Sequence, residues 1–568
     1  MSVVSEDNAQ ATFCATLVDE WIRHGLTDVV VCPGSRSTPF ALAFASRREL
    51  RLHIRLDERS AGFVALGLAR ELRRPVAILV TSGTAVSELH AAVCEADLSS
   101  IPLMVVSADR PPELQGVGAP QTMNQQQIFG VAVRSFIDPG VAFHGAAHTW
   151  RSLAARVYET AAGTVTSAGP VQFNVPLRDP LDAAPAEMPA PRSGPWRTAK
   201  TTTQGIVDLA HHFADRSRVL VVAGEGAPRE LIDLATAKHW ALLGDPRSGL
   251  RSSGETLALA DPTLRSHGDS LMPELVVMFG EPWASRVLGE TIATWAHRGV
   301  EVIHLGVRST LYDPFAIVGE RVVADGGTII AALERSPAAQ DDAYVTCWKQ
   351  ADTAARHAFD EALQDPEALS EPLIARMLGE RPDLSILTAS SSMPIRELEW
   401  FAPTIRPTVR SNRGVNGIDG VLSSAIGAAL TGEICGCVIG DLAFLHDLSS
   451  LVEGLGPVAG SLTVVVVNNG GGGIFSFLPQ ATSVDQERFA ALFHTARPVN
   501  HELLVGGLGH HVQVVTTQGA FTRALDERVG RQGVSVIVAE VGSPATNVAL
   551  HDELNAAVKV ALSRNAKD

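Results

Sequence analysis

The stretch from Cys435 to Leu478 limits the possible folds of this chain more than any other. Two short apolar runs, 435–440 and 462–467, flank a segment in which leucines recur at helical spacing between 445 and 455. This alternation predicts a strand–helix–strand unit with one amphipathic helix between the strands. Because parallel strands in such a unit end at the same edge of a sheet, we expect Asp441 and Asn469, each just after a strand, to lie close together.

The donor atoms at these two positions predict the kind of ligand. A carboxylate and an amide oxygen are hard ligands, which suit Mg²⁺ or Ca²⁺ and are poor ligands for zinc. Mg²⁺ held by so few protein groups normally completes its octahedron with phosphate oxygens and water. The glycines at 470–473 permit close backbone approach, so the Gly471 carbonyl is a candidate third ligand. The alternative is an ordinary turn after a buried strand, with Asp441 capping the next helix.

This pair of sites resembles a known signature. Gly440-Asp441 followed by Asn468-Asn469 is similar to the diphosphate-binding motif of thiamine-diphosphate enzymes, although Leu442 stands where that family usually has glycine. The resemblance implies thiamine diphosphate as cofactor, with Mg²⁺ or alternatively Mn²⁺. The implied cofactor-binding residues here are Gly440, Asp441, Leu442, Asn469 and Gly471, of which Asp441, Asn469 and Gly471 would bind the metal.

Composition narrows the class of protein. The chain has 568 residues, 46% of them hydrophobic and 19% charged, which is the composition of a globular enzyme of about three to four domains. A net charge of −16 argues against a nucleic-acid or anionic-membrane surface. The six cysteines are scattered, with no metal-ligand spacing, and no apolar run approaches a membrane span. We expect a cytoplasmic protein without membrane insertion.

The chain alternates strands and helices in three blocks, which predicts an α/β fold of three doubly wound parallel-sheet domains. Five prolines between 180 and 195 indicate an interdomain linker. The resemblance implies the pyruvate-oxidase-like order of domains. The predicted boundaries are 1–180 for a pyrimidine-binding domain, 181–196 for the linker, 197–340 for a central domain, 341–365 for a linking helix and 366–568 for a diphosphate-binding domain.

Two Gly-containing turns in the first block precede helices. In Pro33–Pro39, free backbone N–H groups beside Arg36 would receive an anion, and the alternative is an arginine on a solvated helix start. The second turn, Ser82-Gly83-Thr84, follows a predicted strand. By resemblance, Ser82, Gly83 and Thr84 would bind the cofactor.

Glu58 opens a helix rich in small residues. Acidic residues at helix N-termini are common because of the helix dipole alone. In the family that this chain resembles, a glutamate at this place holds a proton against N1′ of the cofactor's aminopyrimidine. That role needs a carboxyl in a water-poor pocket, where burial raises its pKa. The resemblance makes Glu58 the implied catalytic residue.

Within that family the chain is most similar to the 2-succinyl-5-enolpyruvyl-6-hydroxy-3-cyclohexene-1-carboxylate (SEPHCHC) synthases of menaquinone biosynthesis. The segments that carry this likeness are 33–39, 57–59, 81–85, 108–114, 411–414, 417–420 and 474–475. The implied substrates are 2-oxoglutarate and isochorismate. The implied reaction is a decarboxylation of the first, followed by 1,4-addition of the four-carbon carbanion to the second.

Arginines make chemical sense of these carboxylate-rich substrates, because guanidinium groups bind carboxylates in bidentate fashion. The resemblance implies the substrate-binding residues Arg36, Arg110, Gln121, Ser391, Ser392, Arg396 and Arg413, and, with differing flanks, Arg286. It also implies an apolar wall of Ile418, Ile474, Phe475 and Leu478. The chain departs from the family at Pro120 and Ser391, where asparagine is usual. For each polar residue the alternative is a surface or interdomain salt bridge.

The family builds its sites at subunit interfaces, so the resemblance implies a homodimer or homotetramer. Three alternatives remain open at this point. One is another thiamine-diphosphate 2-oxoacid decarboxylase or carboligase. A nicotinamide-dependent oxidoreductase would need a GxGxxG turn followed by an acidic residue, of which the sequence has no convincing copy. A non-enzymatic binding protein on a degenerate scaffold would have no need of Glu58, Asp441 and Asn469 together.

Overall fold

The computed structural model describes residues 8–164, 167–196, 207–252, 254, 256–281, 283–307, 312–339, 341–365 and 367–565. Three six- or five-stranded sheets with flanking helices make up this part of the chain. The predicted α/β class with three parallel-sheet domains is confirmed. The predicted boundaries at residues 197, 340 and 366 fall outside the described residues, and the domain boundaries stay a prediction.

The first sheet has strand order β2-β1-β3-β4-β6-β5, and its given pairings are all parallel. Its strands are β1 (Asp28–Val31), β2 (Arg51–Ile54), β3 (Val76–Val80), β4 (Leu103–Asp109), β5 (Ser135–Ile137) and β6 (Val171–Pro176). The accompanying helices are α1 (Ala9–Arg23), α2 (Thr38–Ala45), α3 (Glu58–Leu72), α4 (Thr84–Ser87), α5 (His90–Leu98) and α6 (Ala147–Ala162).

The central sheet has strand order β11-β10-β9-β7-β8 and is also parallel. Its strands are β7 (Val219–Ala223), β8 (Ala241–Gly244), β9 (Leu275–Phe279), β10 (Glu301–Gly306) and β11 (Glu320–Val323). Its helices are α7 (Ala210–Phe213), α8 (Leu231–Ala237), α9 (Ala260–His267), α10 (Arg286–His297) and α11 (Gly326–Arg335).

The third sheet, β13-β12-β14-β15-β17-β16, repeats the strand order of the first. Its strands are β12 (Ile386–Ala389), β13 (Thr408–Arg410), β14 (Ile434–Gly440), β15 (Ser461–Asn468), β16 (His511–Val515) and β17 (Gly533–Glu540). The helices of this part are α12 (Asp342–Ala362), α13 (Glu371–Gly379), α14 (Met393–Phe401), α15 (Val421–Ala429), α16 (Asp441–His446), α17 (Gln480–Ser483), α18 (Gln486–Phe489), α19 (His501–Gly507), α20 (Gln518–Arg528) and α21 (Pro544–Asn565).

The inner strands form because they are continuous apolar runs. All residues of β1, β3, β4 and β6 are buried, as expected for a parallel sheet that is covered by helices on both faces. In a doubly wound sheet, ligands bind where the strand order reverses, outside the carboxyl ends of the two strands there. That position lies between β1 and β3 in the first sheet and between β12 and β14 in the third.

The chain divides into two compact units. The first unit contains Met1–Thr202, Asn412–Glu433 and His446–Ser461, and the second contains Thr203–Ser411, Ile434–Leu445 and Leu462–Asp568. Thus α15 lies in the first unit, where it packs against α3. None of the helices in the described residues combines the length and the apolar character needed to cross a bilayer.

Two predictions about local structure were wrong. The segment 445–455 is not one helix, because α16 ends at His446 and a 3₁₀ turn follows at Leu448–Leu451. Asp447 interrupts the helix, since its buried carboxylate accepts hydrogen bonds from the backbone and hydroxyl of Ser423. The strands β5, β8, β11, β13 and β16 were not predicted. All five lie at the edges of their sheets.

Candidate active site

Several of the predicted site residues follow strands at the two reversal points. In the first unit, Arg36 follows β1, and the turn Ser82–Thr84 follows β3. In the second unit, Ser391 and Ser392 follow β12. Asp441 follows β14.

Glu58 is the first residue of α3 and is half-buried. Burial raises the pKa of its carboxyl, and the nearby carboxylates of Asp57 and Glu88 raise it further. Among the described residues, no basic side chain forms an ion pair with it. Glu58 is therefore an acid disposed to hold a proton, which is the property expected of the catalytic glutamate.

The residues on either side of Glu58 fix the start of α3. The Asp57 carboxylate accepts hydrogen bonds from the backbone N–H of Arg59, at 3.0 Å, and from the hydroxyl of Ser449, at 2.5 Å. The Arg59 guanidinium donates to the carbonyl of His446 at 2.7 Å. These bonds hold both neighbours of Glu58 and leave its own side chain out of the network.

Arg36 is buried rather than solvated. Its guanidinium donates to the carbonyl of Leu177 at 2.9 Å and lies 3.3 Å from the exposed carboxylate of Asp179. The Nε–H of Arg36 is buried and has no hydrogen-bond partner among the described residues. A buried donor without a partner is costly, so Arg36 has bonding capacity left for an anion.

The turn after β3 brings four predicted residues together with one that was missed. Gly83 has φ +88°, and a Cβ there would lie 3.1 Å from Cγ of Gln121. The Ser82 hydroxyl donates to the Gln121 carbonyl at 2.9 Å. The buried Gln125 accepts from the Gly83 N–H at 2.8 Å. Thr84 begins the short helix α4 directly after this turn.

Arg110 borders an open cavity of about 800 Å³ that Gln115, Thr122 and Gln125 also line. Its guanidinium donates to the Pro120 carbonyl at 3.2 Å. Burial lowers the pKa of Arg110, and the nearby positive charge of Arg36 lowers it further. Two guanidinium groups that repel each other in this way favour a bound anion between or beside them.

Arg413 and Ile418 lie in the loop before α15, in the first unit. The buried carboxylate of Glu95 holds this loop by accepting hydrogen bonds from the N–H groups of Gly414, at 2.9 Å, and Val415, at 2.7 Å. Arg413 is half-buried and Ile418 is 37% exposed. An exposed isoleucine and a partly buried arginine on one anchored loop suit contact with a ligand.

In the second unit the structure brings the predicted metal ligands together. The carboxylate of Asp441 accepts a hydrogen bond from the backbone N–H of Leu442 at 2.7 Å, and the N–H groups of Gly470 and Gly471 lie nearby. The amide oxygen of Asn469 lies 3.3 Å from the N–H of Gly471. Burial raises the pKa of Asp441 to about 6, although the N–H groups of Leu442, Gly470 and Gly471 act to lower that pKa.

The loop has the shape of a cradle that only glycine permits. Gly471 has φ +147°, and a Cβ there would lie 2.3 Å from the His494 carbonyl. A Cβ at Gly473 would lie 2.6 Å from Nδ2 of Asn469. By contrast, a Cβ at Gly440 would meet nothing within 4 Å, so the backbone there borders open space.

Glu371, at the start of α13, was missed by the sequence analysis. Its buried carboxyl accepts a hydrogen bond from Nδ2 of Asn469 at 2.8 Å. Burial raises the pKa of Glu371 to about 8, and the carboxylates of Glu397 and Asp441 add to the shift. Its hydrogen bond fixes which end of the Asn469 amide is the oxygen, so Glu371 orients a predicted metal ligand.

These residues fit a divalent cation. Asp441, Asn469 and the Gly471 carbonyl offer hard oxygen donors of the kind that Mg²⁺ prefers. Among the described residues, no basic side chain forms an ion pair with Asp441 or Glu371. Their raised pKa values therefore have no compensating positive charge within this part of the chain, and a bound cation would favour the ionised form of both carboxyls.

The segment after β12 holds the predicted serines. Ser391 is buried, and Ser392 has φ +72° and ψ −129°, a strained conformation for a residue other than glycine. The guanidinium of Arg396 donates to the Ser392 carbonyl. Burial lowers the pKa of Arg396. Strain that is stored beside a partly buried arginine is typical of a binding site.

Three of the four predicted wall residues lie on one segment. Ile474 and Phe475 are in a 3₁₀ turn, Gly473–Phe477, and Leu478 follows it; all three are half-exposed. Arg286 differs, because it is on the solvated face of α10 with its side chain 79% exposed and paired with Glu290 at 2.6 Å. Arg286 therefore forms a surface salt bridge, which is the alternative interpretation given for it in the sequence analysis.

Comparison with known proteins adds to this geometry. The family models described as the N-terminal and C-terminal thiamine-pyrophosphate-binding domains match residues 12–128 and 400–539. A 2-succinyl-5-enolpyruvyl-6-hydroxy-3-cyclohexene-1-carboxylate synthase from Thermobifida fusca is 40% identical, over 85% of this chain and 88% of its own. Synthases of the same name from Myxococcus xanthus and Listeria innocua are 37% and 31% identical, over 89% and 98% of this chain and 91% and 100% of theirs.

This chain belongs to the SEPHCHC synthase family. A benzoylformate decarboxylase from Polynucleobacter necessarius shares its fold, with a TM-score of 0.71 at 17% identity, over 93% of this chain and 98% of the other. The predicted family, its dependence on thiamine diphosphate and its class of reaction are confirmed. The roles of individual residues stay predictions.

Three residues of this chain that support the site escaped the sequence analysis. Gln125 and Glu95 hold backbone loops through hydrogen bonds to N–H groups, and Glu371 orients Asn469. Gln125 and Glu95 carry no local signal, because their partners lie elsewhere in the sequence. Glu371 follows Ser370 and precedes Pro372, a pattern that any helix N-terminus can show.

Proposed function

We propose that this chain catalyses the thiamine-diphosphate- and Mg²⁺-dependent decarboxylation of 2-oxoglutarate and the 1,4-addition of the resulting four-carbon carbanion to isochorismate. The product is the compound named in its relatives, on the route to menaquinone. The observation that carries this proposal is 31–40% identity, over most of the chain, to synthases of that name.

The geometry supports a division of work between the two units. Bound thiamine diphosphate supplies the nucleophilic carbon and the electron sink for loss of CO₂. Glu58, with its raised pKa, holds a proton at N1′ of the aminopyrimidine. Asp441, Asn469 and the Gly471 carbonyl would hold the metal, which would neutralise charge on the diphosphate, while Gly440 and Leu442 lie beside them.

The remaining predicted residues bind substrate and exclude water. Arginines, which remain charged at every working pH, bind the substrate carboxylates. The proposed set is Arg36, Arg110, Arg396 and Arg413, with Gln121, Ser391 and Ser392 as neutral hydrogen-bonding groups. The half-exposed side chains of Ile418, Ile474, Phe475 and Leu478 form the apolar wall that keeps water from the reacting carbon.

We also propose the metal, the compartment and the assembly of the enzyme. The metal is Mg²⁺, with Mn²⁺ as a possible substitute, since both accept oxygen ligands. The enzyme works in the cytoplasm as a homodimer or homotetramer, with active sites at the subunit interface, as the family resemblance implies. Sedimentation velocity of the full chain with cofactor and Mg²⁺ tests the assembly, and a monomer at assay concentrations contradicts it.

The reaction is tested by incubating the full chain with thiamine diphosphate, Mg²⁺, 2-oxoglutarate and isochorismate. We expect isochorismate and 2-oxoglutarate to disappear in equal amounts, with one CO₂ released for each. Pyruvate in place of 2-oxoglutarate is the control and should support little turnover. Consumption of 2-oxoglutarate without loss of isochorismate, or equal use of pyruvate, would instead identify another 2-oxoacid decarboxylase or carboligase.

A further inference from the structure

The central sheet carries a cluster of metal-binding side chains that the proposed reaction does not use. His211 and His212 lie on α7, and Glu320 is the first residue of β11. One ligand atom from each lies within 4.8 Å of those of the other two. Because β10 and β11 are parallel and begin at Glu301 and Glu320, the cluster lies at the amino-terminal edge of this sheet, opposite the carboxyl ends of its strands.

His212 is held in an orientation that suits a metal ligand. Its ring is buried, and its Nδ1 lies 2.5 Å from the Glu301 carboxylate, which also accepts from Arg216 at 2.9 Å. A carboxylate at that position takes the N–H of a neutral imidazole and leaves the lone pair on the other nitrogen. Metal-binding histidines commonly have this arrangement, in which a carboxylate fixes the ring and increases its basicity.

The other nitrogen of His212 faces the cluster without a hydrogen bond. Nε2 is buried and has no hydrogen-bond partner among the described residues, yet it lies 3.3 Å from Oε2 of Glu320. With the proton on Nδ1, a lone pair and a carboxylate oxygen face each other, and two acceptors at this distance repel. A cation between them turns that repulsion into attraction.

The distances suit zinc. A tetrahedral site with bonds of about 2.0–2.1 Å has ligand–ligand edges of about 3.3–3.4 Å. The His212–Glu320 edge is 3.3 Å, and Nε2 of His211 lies 3.9 Å from the same Glu320 oxygen. His211 and Glu320 are 62% and 44% exposed, so a modest side-chain rotation closes the remaining gap. Two imidazoles and one carboxylate are a known zinc ligand set, with water in the fourth position.

We propose that His211, His212 and Glu320 form a site for Zn²⁺ in the central domain, with Glu301 and Arg216 as the groups that orient His212. Nitrogen ligands distinguish it from the oxygen cradle at Asp441, which suits Mg²⁺. A cation here ties α7 to β11, and it makes the stability of the central domain depend on zinc. The proposal does not depend on the reaction proposed above.

The test uses the full chain with its affinity tag removed, kept saturated with thiamine diphosphate and Mg²⁺ so that the Asp441 cradle is filled. Calorimetric titration with Zn²⁺ should show one equivalent bound per chain, and Co²⁺ should give the visible absorption of a tetrahedral complex. Glu320→Gln and His211→Gln change exposed side chains and should fold normally. Each should weaken binding roughly tenfold or more, since even groups behind the ligands contribute 10–100-fold.

His239→Gln is the matched control, because His239 is also an exposed histidine of this domain and pairs with Asp342. It should leave Zn²⁺ binding unchanged. Equal Zn²⁺ binding by wild type, Glu320→Gln and His211→Gln, or no binding at all, overturns the proposal.

Discussion

At the scale of single residues, Glu371 shows how a side chain outside the predicted site controls it. It touches the metal cradle only through Asn469, whose amide it orients with a 2.8 Å hydrogen bond. An acid at the start of a helix is what the helix dipole alone would favour, so no feature of the sequence distinguishes Glu371 from the many other acids in such positions. Only the fold places α13 against the loop that follows β15.

Glu371→Ala removes the acceptor and leaves the Asn469 amide free to turn over. We expect the Mg²⁺ concentration needed for half-maximal cofactor binding to rise about 10- to 100-fold. Glu371→Gln keeps an acceptor oxygen for the Asn469 amide, so its half-maximal Mg²⁺ concentration should stay within a few-fold of the wild-type value. Tryptophan fluorescence during Mg²⁺ titration measures both. An unchanged Mg²⁺ requirement in Glu371→Ala contradicts the orienting role.

Glu399, a buried residue of α14, gives a prediction about pH. Burial raises the pKa of its carboxyl from 4.5 to about 8, and nearby Asp245 adds to the shift. The folded chain therefore keeps a proton that the unfolded chain releases above about pH 4.5. The stability that this group contributes is complete below that pH and is lost as the pH rises towards 8.

Glu399→Gln keeps an acceptor for the backbone N–H of Ala284 and cannot ionise. Its free energy of unfolding relative to wild type should increase between pH 5 and 8, by up to about 1 kcal/mol per pH unit. Denaturant titrations at several pH values measure this. Glu361→Gln, which changes an exposed carboxyl on α12, is the control and should show no such trend. A constant difference across the range contradicts the raised pKa.

At the scale of elements, the packing of α3 against α15 positions the start of α3 and so Glu58. A Cβ at Gly67 would lie 2.2 Å from the Ser424 carbonyl, and one at Gly427 would lie 2.3 Å from the Val64 carbonyl. The two helix backbones therefore approach each other through glycines. Larger side chains would force the helices apart.

Gly67→Ala should destabilise the chain by about 1–3 kcal/mol, since the added methyl group meets backbone that cannot move aside. Gly506→Ala is the matched control in α19, where an added Cβ meets nothing within 4 Å. That change should stabilise by about 0.5–1 kcal/mol, because alanine is the better helix former. Thermal unfolding of both variants compares them, and equal effects would refute close packing at Gly67.

The same scale explains what the sequence could predict of the fold. Inner strands such as β14 and β15 are continuous apolar runs, and the predicted runs 435–440 and 462–467 lie within one residue of their observed bounds. Edge strands such as β11 and β16 are short and partly exposed, so they lack that signal. Asp441 and Asn469 were found because each follows an inner strand. The turn at Asp447 was not, because its cause is a contact with Ser423, distant in the sequence.

At the scale of the whole molecule, the first and third sheets have the same strand order, and each carries a candidate half-site where that order reverses. The half near β1 and β3 offers an unpaired acid and two arginines. The half near β12 and β14 offers oxygen donors and the buried carboxyls of Asp441 and Glu371, which have no basic partner among the described residues. These chemistries differ in a way that suits opposite ends of one cofactor, the aminopyrimidine and the magnesium diphosphate.

The central claim is therefore that Glu58 and Asp441 perform separable tasks on one cofactor. The most direct test measures thiamine diphosphate affinity, Mg²⁺ requirement and turnover for wild type, Glu58→Gln and Asp441→Asn. Glu58→Gln should bind cofactor with an unchanged Mg²⁺ requirement but lose about 10²- to 10⁴-fold in turnover. Asp441→Asn should need far more Mg²⁺ to bind cofactor, and excess Mg²⁺ should restore part of its turnover. Full turnover in Glu58→Gln, or an unchanged Mg²⁺ requirement in Asp441→Asn, would contradict the claim.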